Sequence, residues 1–220
     1  MTIRLLPIFP LPDVVLLPET TLPLHVFEPR YTEMLSDALE GDRTIGIQRV
    51  RQGHDELGRP AVYDIGCAGE IVEHEPLEDG RSNIVLKGTF RYRIDREPRT
   101  GKPYRIAEIS PLPVRPLPKG TLARAGSDDL RRLLNAMVRH LAISVGRSEA
   151  GLLPDELSDE GLVNEAASRL GLDADERYSL LAMEDLEGRY AWVMAHVSSL
   201  QRRVEMLAPF RQTEIEPRWN

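Results

Sequence analysis

The segment PLPVRPLPKG, residues 111–120, separates two halves of the sequence that have different secondary-structure preferences. Fourteen of the 17 prolines lie in residues 1–118, and only Pro154, Pro209 and Pro217 follow. Proline interrupts helix interiors and suits turns and edge strands, so the first half is predicted to form short strands and the second half helices. Alternating prolines also keep a chain extended, which is typical of a connector between two domains.

This division predicts an α+β protein with two domains. We expect a β domain over residues 1–115, an α-helical bundle over residues 116–210 and a loose tail over residues 211–220. The sequence has 220 residues, which is long enough to bury a core without a metal ion or a disulfide.

The first half shows the residue patterns of several short strands, with one predicted helix among them. Apolar runs occur at 14–17 and 22–27, strand patterns at 44–50, 61–75, 83–97 and 103–109, and an exposed hairpin loop at 51–60. Strict alternation in residues 83–97 would place Ile84, Leu86, Phe90, Tyr92 and Ile94 on one face and Val85, Lys87, Thr89, Arg91 and Arg93 on the other. Gly66 and Gly69 indicate a bulge or a close backbone approach.

An amphipathic helix is predicted over residues 29–40. Pro29 suits the first helical position, and Gly41 suits the C-terminal cap. One face of this helix would carry Tyr31, Met34, Leu35, Ala38 and Leu39, which could pack on the sheet.

Four helices are predicted in the second half. The first follows Ser127 and runs to about Val145, the second covers residues 159–170, the third begins at Asp173, and the longest covers residues 189–207. On the longest helix the apolar residues are spaced as in a coiled-coil seam, which favours packing inside the bundle over packing on a partner helix.

Composition and charge exclude several classes of protein. The net charge of −7 disfavours nonspecific binding to nucleic acid and to membrane surfaces. The prolines interrupt the apolar N-terminus, and no segment reaches the roughly 20 apolar residues of a membrane helix. The single cysteine, Cys67, cannot form an internal disulfide, so a reducing compartment is favoured. We therefore expect a cytoplasmic protein with no membrane partner.

The sequence contains no pattern typical of a catalytic or metal site. Its three lysines, Lys87, Lys102 and Lys119, do not form a phosphate-binding loop, and no Gly-x-Ser-x-Gly motif occurs. No two of the five histidines have metal-ligand spacing. Cys67 lies inside a strand pattern, which favours a buried structural thiol. We expect no catalytic residue, no metal and no cofactor, and a binding role instead.

One local excess of positive charge lies in residues 81–105. Strand alternation would bring together Lys87, Arg91 and Arg93, which could contact RNA phosphates or another anion. The alternative is a solvated sheet face whose cations pair with Glu70, Glu73 and Glu75 on a neighbouring strand. We favour the solvated face, because cross-strand pairing would neutralise much of the charge.

Several segments resemble the N-terminal domain of the ATP-dependent Lon proteases. They are Pro10–Pro18 followed by Leu22-Pro23-Leu24, the strand pattern of residues 63–71, the Asp79-Gly80-Arg81 hairpin, the Gly88-x-x-Arg91 motif and the acidic segment that ends at Arg189. The sequence of residues 27–31, FEPRY, is more similar to small stand-alone bacterial relatives than to full-length proteases.

The resemblance implies a PUA-like β pseudo-barrel followed by a helical bundle. It also implies a non-catalytic module that binds unfolded or partly folded proteins and peptides, because the ATPase and protease motifs of that family do not occur in this sequence. The binding surface is expected at six apolar side chains: Leu16, Leu17, Leu22, Leu24, Phe27 and Tyr31. The alternative function is RNA binding through residues 81–105, since PUA-like barrels include RNA-binding proteins. A homodimer is compatible with the resemblance, which includes a role in oligomer assembly.

Overall fold

A computed structural model describes residues 4–114, 132, 135 and 157–207. Within these residues there are seven strands: β1 Arg4–Leu11, β2 Thr21–Val26, β3 Thr44–His54, β4 Pro60–Val62, β5 Ile65–Pro76, β6 Ser82–Arg96 and β7 Arg105–Pro111. The same residues form four helices: α1 Pro29–Glu40, α2 Asp159–Arg169, α3 Ala174–Ala182 and α4 Leu186–Leu207. The protein is thus a mixed α and β structure with one large, mostly antiparallel sheet.

Five of the strands form a closed ring of pairings. Strands β3, β5, β6 and β7 follow one another as antiparallel neighbours. Strand β1 closes the ring, because it pairs with β7 in the antiparallel direction and with β3 in the parallel direction. Strands β2 and β4 lie outside the ring and pair with β6 and β3. Closing the ring removes the free edges that an open sheet would leave at β1 and β3.

A bulge at Thr89 divides β6 into two parts. Gly88 pairs with Gly69 and Phe90 with Ala68, so Thr89 is an extra residue on β6. An extra residue reverses which side chains face the core beyond it. The prediction of one continuous face along residues 83–97 was therefore wrong.

The ring encloses a small apolar cluster, which we call the ring core. Its buried members are Leu6, Ile8, Ala68, Tyr92, Ala107 and Ile109, with Phe90 and Ile94 packed against them. The Tyr92 hydroxyl donates a hydrogen bond of 2.8 Å to Gln48 Oε1. A Cβ atom at Gly66 would lie 2.6 Å from the Tyr92 ring, which confirms the predicted close approach at this glycine.

A larger cluster, the outer core, joins the outside of the ring to the helices. Ile84 and Leu86, from the part of β6 before the bulge, belong to it together with Met34 of α1. Buried residues of α2, α3 and α4, such as Val163 and Leu181, belong to the same cluster. The strands and the helices after residue 157 therefore share one continuous apolar core.

Most predicted elements of the first half are confirmed, with differences at the ends. Helix α1 spans the predicted residues, with Pro29 in its first turn and Gly41 as C-cap. Strand β1 was not predicted from the residue pattern of the first half. Residues 14–17 are not a strand, although Val15, Leu16 and Leu17 are buried, and β3 extends to His54 into the predicted hairpin loop.

The three described helices after residue 157 begin near the predicted positions. Ser158 caps α2, and Asp173 caps α3 through a capping box with Glu176. Helix α4 begins at Leu186, three residues before the prediction, and both Val193 and Val197 of its apolar seam are buried. Apart from Arg132 and Asn135, the predicted helix up to Val145 lies outside the described residues, as do most of the connector and the tail. No helix in the described part of the chain has the length and apolar character of a membrane-spanning segment.

Candidate functional site

Three of the six predicted apolar site residues lie in the outer core. Leu16, Leu17 and Tyr31 are between 2% and 6% exposed. The Tyr31 ring packs on Phe9 with 4.1 Å between ring centroids. Leu16 and Leu17 are therefore structural in the folded protein, and only a small part of Tyr31 is accessible to a partner.

The other three predicted residues lie on or beside β2. Its side chains alternate, so Leu22 and Leu24 point towards the outer core and are half-buried at the sheet edge. Phe27 follows the strand and is 62% exposed. Its ring lies 6.0 Å from the ring of His25, with the two rings stacked. Phe27 is thus the predicted site residue that the structure presents to solvent.

Strand β2 is an edge strand with a proline at its centre. Among the described residues it pairs with β6 alone. The Gly88 amide donates to Thr20 O over 2.9 Å, and the alternation of an antiparallel ladder then directs the backbone of Pro23 away from β6. Pro23 has no amide proton, so the free edge lacks a donor at this position. Such an edge favours side-chain contacts over the full pairing of an added strand.

The predicted cationic residues do not form one strip. Lys87 is exposed on the part of β6 before the bulge and pairs in register with Glu70 of β5. Arg91 and Arg93 follow the bulge, which places them on the opposite face from Lys87. Arg93 is exposed, but Arg91 is only 2% exposed. Arg91 is therefore not available to an RNA phosphate or another external anion.

Arg91 instead holds the C-terminal end of α3. Its Nη1 group donates to the carbonyl oxygens of Leu181, at 2.9 Å, and Met183, at 2.8 Å. Helix C-termini carry partial negative charge and unpaired carbonyl groups, so a cation is favourable there. Burial and the neighbouring Arg189 lower the pKa of Arg91 to about 10, which leaves it charged at neutral pH.

Arg189 reaches the same carbonyl group from the other side. Its Nε donates to Met183 O over 3.0 Å, and its Nη1 donates to Glu160 Oε1 over 2.6 Å. The side chain of Arg189 is 1% exposed. The Gly88-x-x-Arg91 motif and the acidic segment before Arg189 therefore meet at Met183. Sequence reasoning noticed both motifs but did not predict this contact, because long charged side chains are usually on the surface.

Residues 18–20 connect the strands to the start of α2. Glu19 accepts hydrogen bonds from the amide of Ser158, at 3.4 Å, and from its hydroxyl group. Asn164 of α2 donates to Pro18 O over 3.1 Å. Glu19 has a left-handed backbone with φ of 64°, and its carboxylate lies at the positive end of the helix. Hydrogen bonds therefore connect the N-terminal end of α2 to residues 18–20 and the C-terminal end of α3 to β6.

The described residues contain no metal cluster of three or more histidine, cysteine or acidic side chains. Cys67 is buried, as predicted, and burial raises the pKa of its thiol well above the usual range. A thiol in this environment is a poor nucleophile.

Comparison with protein families gives a match over most of the chain. The family described as "ATP-dependent protease La (LON) substrate-binding domain" matches residues 5–199. The Lon protease of Trichlorobacter lovleyi is 30% identical over 187 residues, which is 83% of this chain and 22% of that protein. The Lon protease of Flavobacterium johnsoniae is 23% identical over 210 residues, which is 91% of this chain and 25% of that protein. The chain spans about a quarter of the length of these relatives.

Two solved structures share the fold. A Lon N-terminal domain protein from Xanthomonas campestris has a TM-score of 0.60 and 24% identity, and the match covers 87% of this chain and 98% of that one. The N-terminal domain of a Mycobacterium avium complex Lon protease has a TM-score of 0.65 and 15% identity, with 89% and 98% covered. At these identities the likeness concerns the fold alone.

Proposed function

The chain belongs to the family of Lon substrate-binding domains, and from this premise we propose that it binds extended segments of unfolded or partly folded proteins. We further propose that binding needs no ATPase or protease activity from these 220 residues. The absence of a phosphate-binding loop and of a serine-hydrolase motif in the sequence supports this second part.

The observation that carries the proposal is the exposure of Phe27. The large apolar side chains that are exposed in the described residues are Leu5, Phe27, Leu57, Val72 and Val114, and Phe27 is the aromatic one. Burying a phenylalanine side chain in a complex contributes about 1.5–3 kcal/mol. Its place between β2 and α1 allows a client chain to lie along the edge of the sheet while its side chains contact the ring of Phe27.

The same proposal includes the architecture. We propose that the ring of β1, β3, β5, β6 and β7 is a PUA-like pseudo-barrel and that the helices after residue 116 form a bundle. The closed pairing of the five strands supports the first part. The shared packing of α2, α3 and α4 in the outer core supports the second.

RNA binding is the weaker alternative, because the bulge at Thr89 separates Lys87 from Arg93 and burial removes Arg91 from the surface. Glu70 lies opposite Lys87 in the β5–β6 register, so its negative charge offsets the charge of Lys87. The homodimer stays a prediction from the sequence.

The proposal is tested by the aggregation of a denatured client. We expect the purified protein to slow the light scattering of reduced insulin, and Phe27→Ser to weaken this effect about tenfold, since a buried aromatic contact is lost. Leu5→Ser is the matched control, because Leu5 is 57% exposed on β1, away from β2. No effect of the wild-type protein at molar excess over insulin would contradict the proposal.

A further inference from the structure

A pocket of about 500 Å³ lies where the C-terminal end of β1 meets α1 and the start of β7. Its lining includes the aromatic rings of Phe9, Tyr31 and Tyr104. Each of these side chains is no more than 7% exposed, so their positions are fixed by the outer core. The volume is within the range of pockets that hold a small ligand or a side chain.

Apolar, rigid residues form a large part of the pocket lining. They include Leu11 and the prolines Pro10, Pro12, Pro60 and Pro103. A proline ring fixes its own backbone angle and has no rotamers to lose, so a ligand that enters the pocket orders little of the protein. A pocket that is already formed binds an apolar group with a smaller entropic penalty than a flexible surface does.

The cations on the rim of the pocket are engaged in ion pairs. Arg30 Nη2 lies 2.7 Å from Glu28 Oε2, and Lys102 Nζ lies 2.6 Å from Asp37 Oδ2. An anionic ligand would have to displace these carboxylates, whereas an uncharged ligand leaves both pairs intact.

The other two cations on the rim belong to a second ion-pair network. Arg59 Nη2 lies 2.7 Å from Asp55 Oδ2 and 3.2 Å from Glu97 Oε2. Arg105 also pairs with Glu97, and it donates to Pro60 O over 2.7 Å. The charge pattern around the pocket therefore complements a neutral, apolar occupant.

The pocket is close in sequence to the exposed aromatic residue of the proposed surface. Phe27 directly precedes Glu28, which lines the pocket at the start of α1. A client chain that passes Phe27 could thus continue towards the pocket. From the walls, the charge balance and this continuity, we propose that the pocket receives one large uncharged apolar side chain, such as leucine or phenylalanine, from an extended client segment. This inference rests on the proposed function.

The experiment uses the full chain and Gly/Ser peptides that carry one central leucine, phenylalanine, serine or glutamate. Binding is measured by NMR titration of the backbone amides. We expect shifts at Leu11, Tyr104 and Arg105 with the leucine and phenylalanine peptides and none with the serine and glutamate peptides. Leu11→Ser, in the wall, and Pro12→Glu, at the exposed rim, should weaken binding about tenfold or more, since an apolar contact is lost.

Leu5→Ser is the control, because Leu5 and Leu11 belong to the same strand but Leu5 does not line the pocket. Equal binding of the leucine and serine peptides, or preference for the glutamate peptide, would overturn the inference. The inference would also be overturned if the signals of these amides shifted with protein concentration in the absence of peptide. Such shifts would show that the pocket is a contact between two copies of the protein. If both variants still slow insulin aggregation but bind the peptides like wild type, the pocket is excluded while the proposed function stands. If the wild-type protein neither slows insulin aggregation nor binds the peptides, the proposed function itself is contradicted.

Discussion

At the scale of single residues, Arg91 shows how a side chain that looks like a surface cation can hold two parts of a protein together. Its guanidinium group is buried and donates to the carbonyl oxygens at the end of α3. Each buried carbonyl group that loses its donor costs free energy, because water cannot reach it.

We expect Arg91→Ala to lower the free energy of unfolding by about 1–3 kcal/mol, since it leaves Leu181 O without this donor. Arg93→Ala is the matched control, because Arg93 is two residues further along the same strand and is exposed. Its effect should stay within about 0.5 kcal/mol. Denaturant unfolding of the two variants measures the difference, and equal stabilities would contradict the role of Arg91.

Cys67 provides a second residue-scale prediction. Burial raises the pKa of its thiol, so the reactive thiolate is scarce at neutral and mildly alkaline pH in the folded state. We expect a thiol reagent to modify Cys67 only as fast as the protein unfolds, and rapidly in denaturant. The absorbance of the thiolate that the reagent releases measures the rate of modification. Fast modification of the native protein would show that β5 is accessible.

The residues of the candidate site could be predicted only in part from the sequence. The apolar character of residues 16–27 was evident, but burial separates Leu16 and Leu17 from Phe27, and burial depends on the helices packed above them. The alternation of side chains along a strand predicted that Lys87 and Arg91 lie on the same face. A single extra residue, Thr89, reverses that order, and no local pattern in residues 83–97 marks it.

At the scale of elements, Gly88 determines how residues 17–20 lie against β6. A Cβ atom there would be 2.1 Å from the carbonyl oxygen of Leu17, and backbone cannot move away as a flexible side chain can. The same glycine exchanges backbone hydrogen bonds with Thr20 and Glu19. Its small size therefore permits the contact from Glu19 to the start of α2.

We expect Gly88→Ala to destabilise the protein by about 1–3 kcal/mol, as overpacking of a close contact does. Gly101→Ala is the control, because a Cβ atom at Gly101 meets nothing within 4 Å. Its effect should lie within about 0.5 kcal/mol. Thermal unfolding followed by circular dichroism measures both variants, and a wild-type-like Gly88→Ala would mean that residues 17–18 shift freely.

Elements with a distinct start signal were the easiest to predict. Pro29 marked α1, Ser158 marked α2 and Asp173 marked α3, because capping side chains act locally. Strand β1 contains Pro7 and Pro10 and was not predicted from the residue pattern. The ring tolerates them because Pro7 pairs only with β7 and Pro10 only with β3. Local sequence patterns do not indicate which strands pair when those strands are far apart in the chain.

At the scale of the whole molecule, the outer core joins the strands to α2, α3 and α4 without a break. The sequence predicted two domains divided at residue 115, and a division in sequence does not require two separate cores. A shared core makes the unfolding of one part expose apolar surface on the other, which favours a single cooperative transition.

We expect the strands and helices to unfold together. Trp192 of α4 reports on the helices by fluorescence, in a Trp219→Phe background, and the reactivity of Cys67 reports on the strands. The two denaturant midpoints should coincide, because both residues belong to or pack against the outer core. A lower midpoint for Trp192 would show that the helices form an independently unfolding unit.

The closed ring has a consequence for biosynthesis. Strand β1 can meet β3 soon after both are made, but its other edge stays unpaired until β7 leaves the ribosome. At about 5–20 residues per second, roughly 100 residues of synthesis take about 5–20 s. During this interval Ile8 lacks its β7 neighbour, so a nascent-chain chaperone or a premature contact would act on β1 first. The order in which the ribosome delivers the strands therefore makes the N-terminal strand wait longest for its second neighbour.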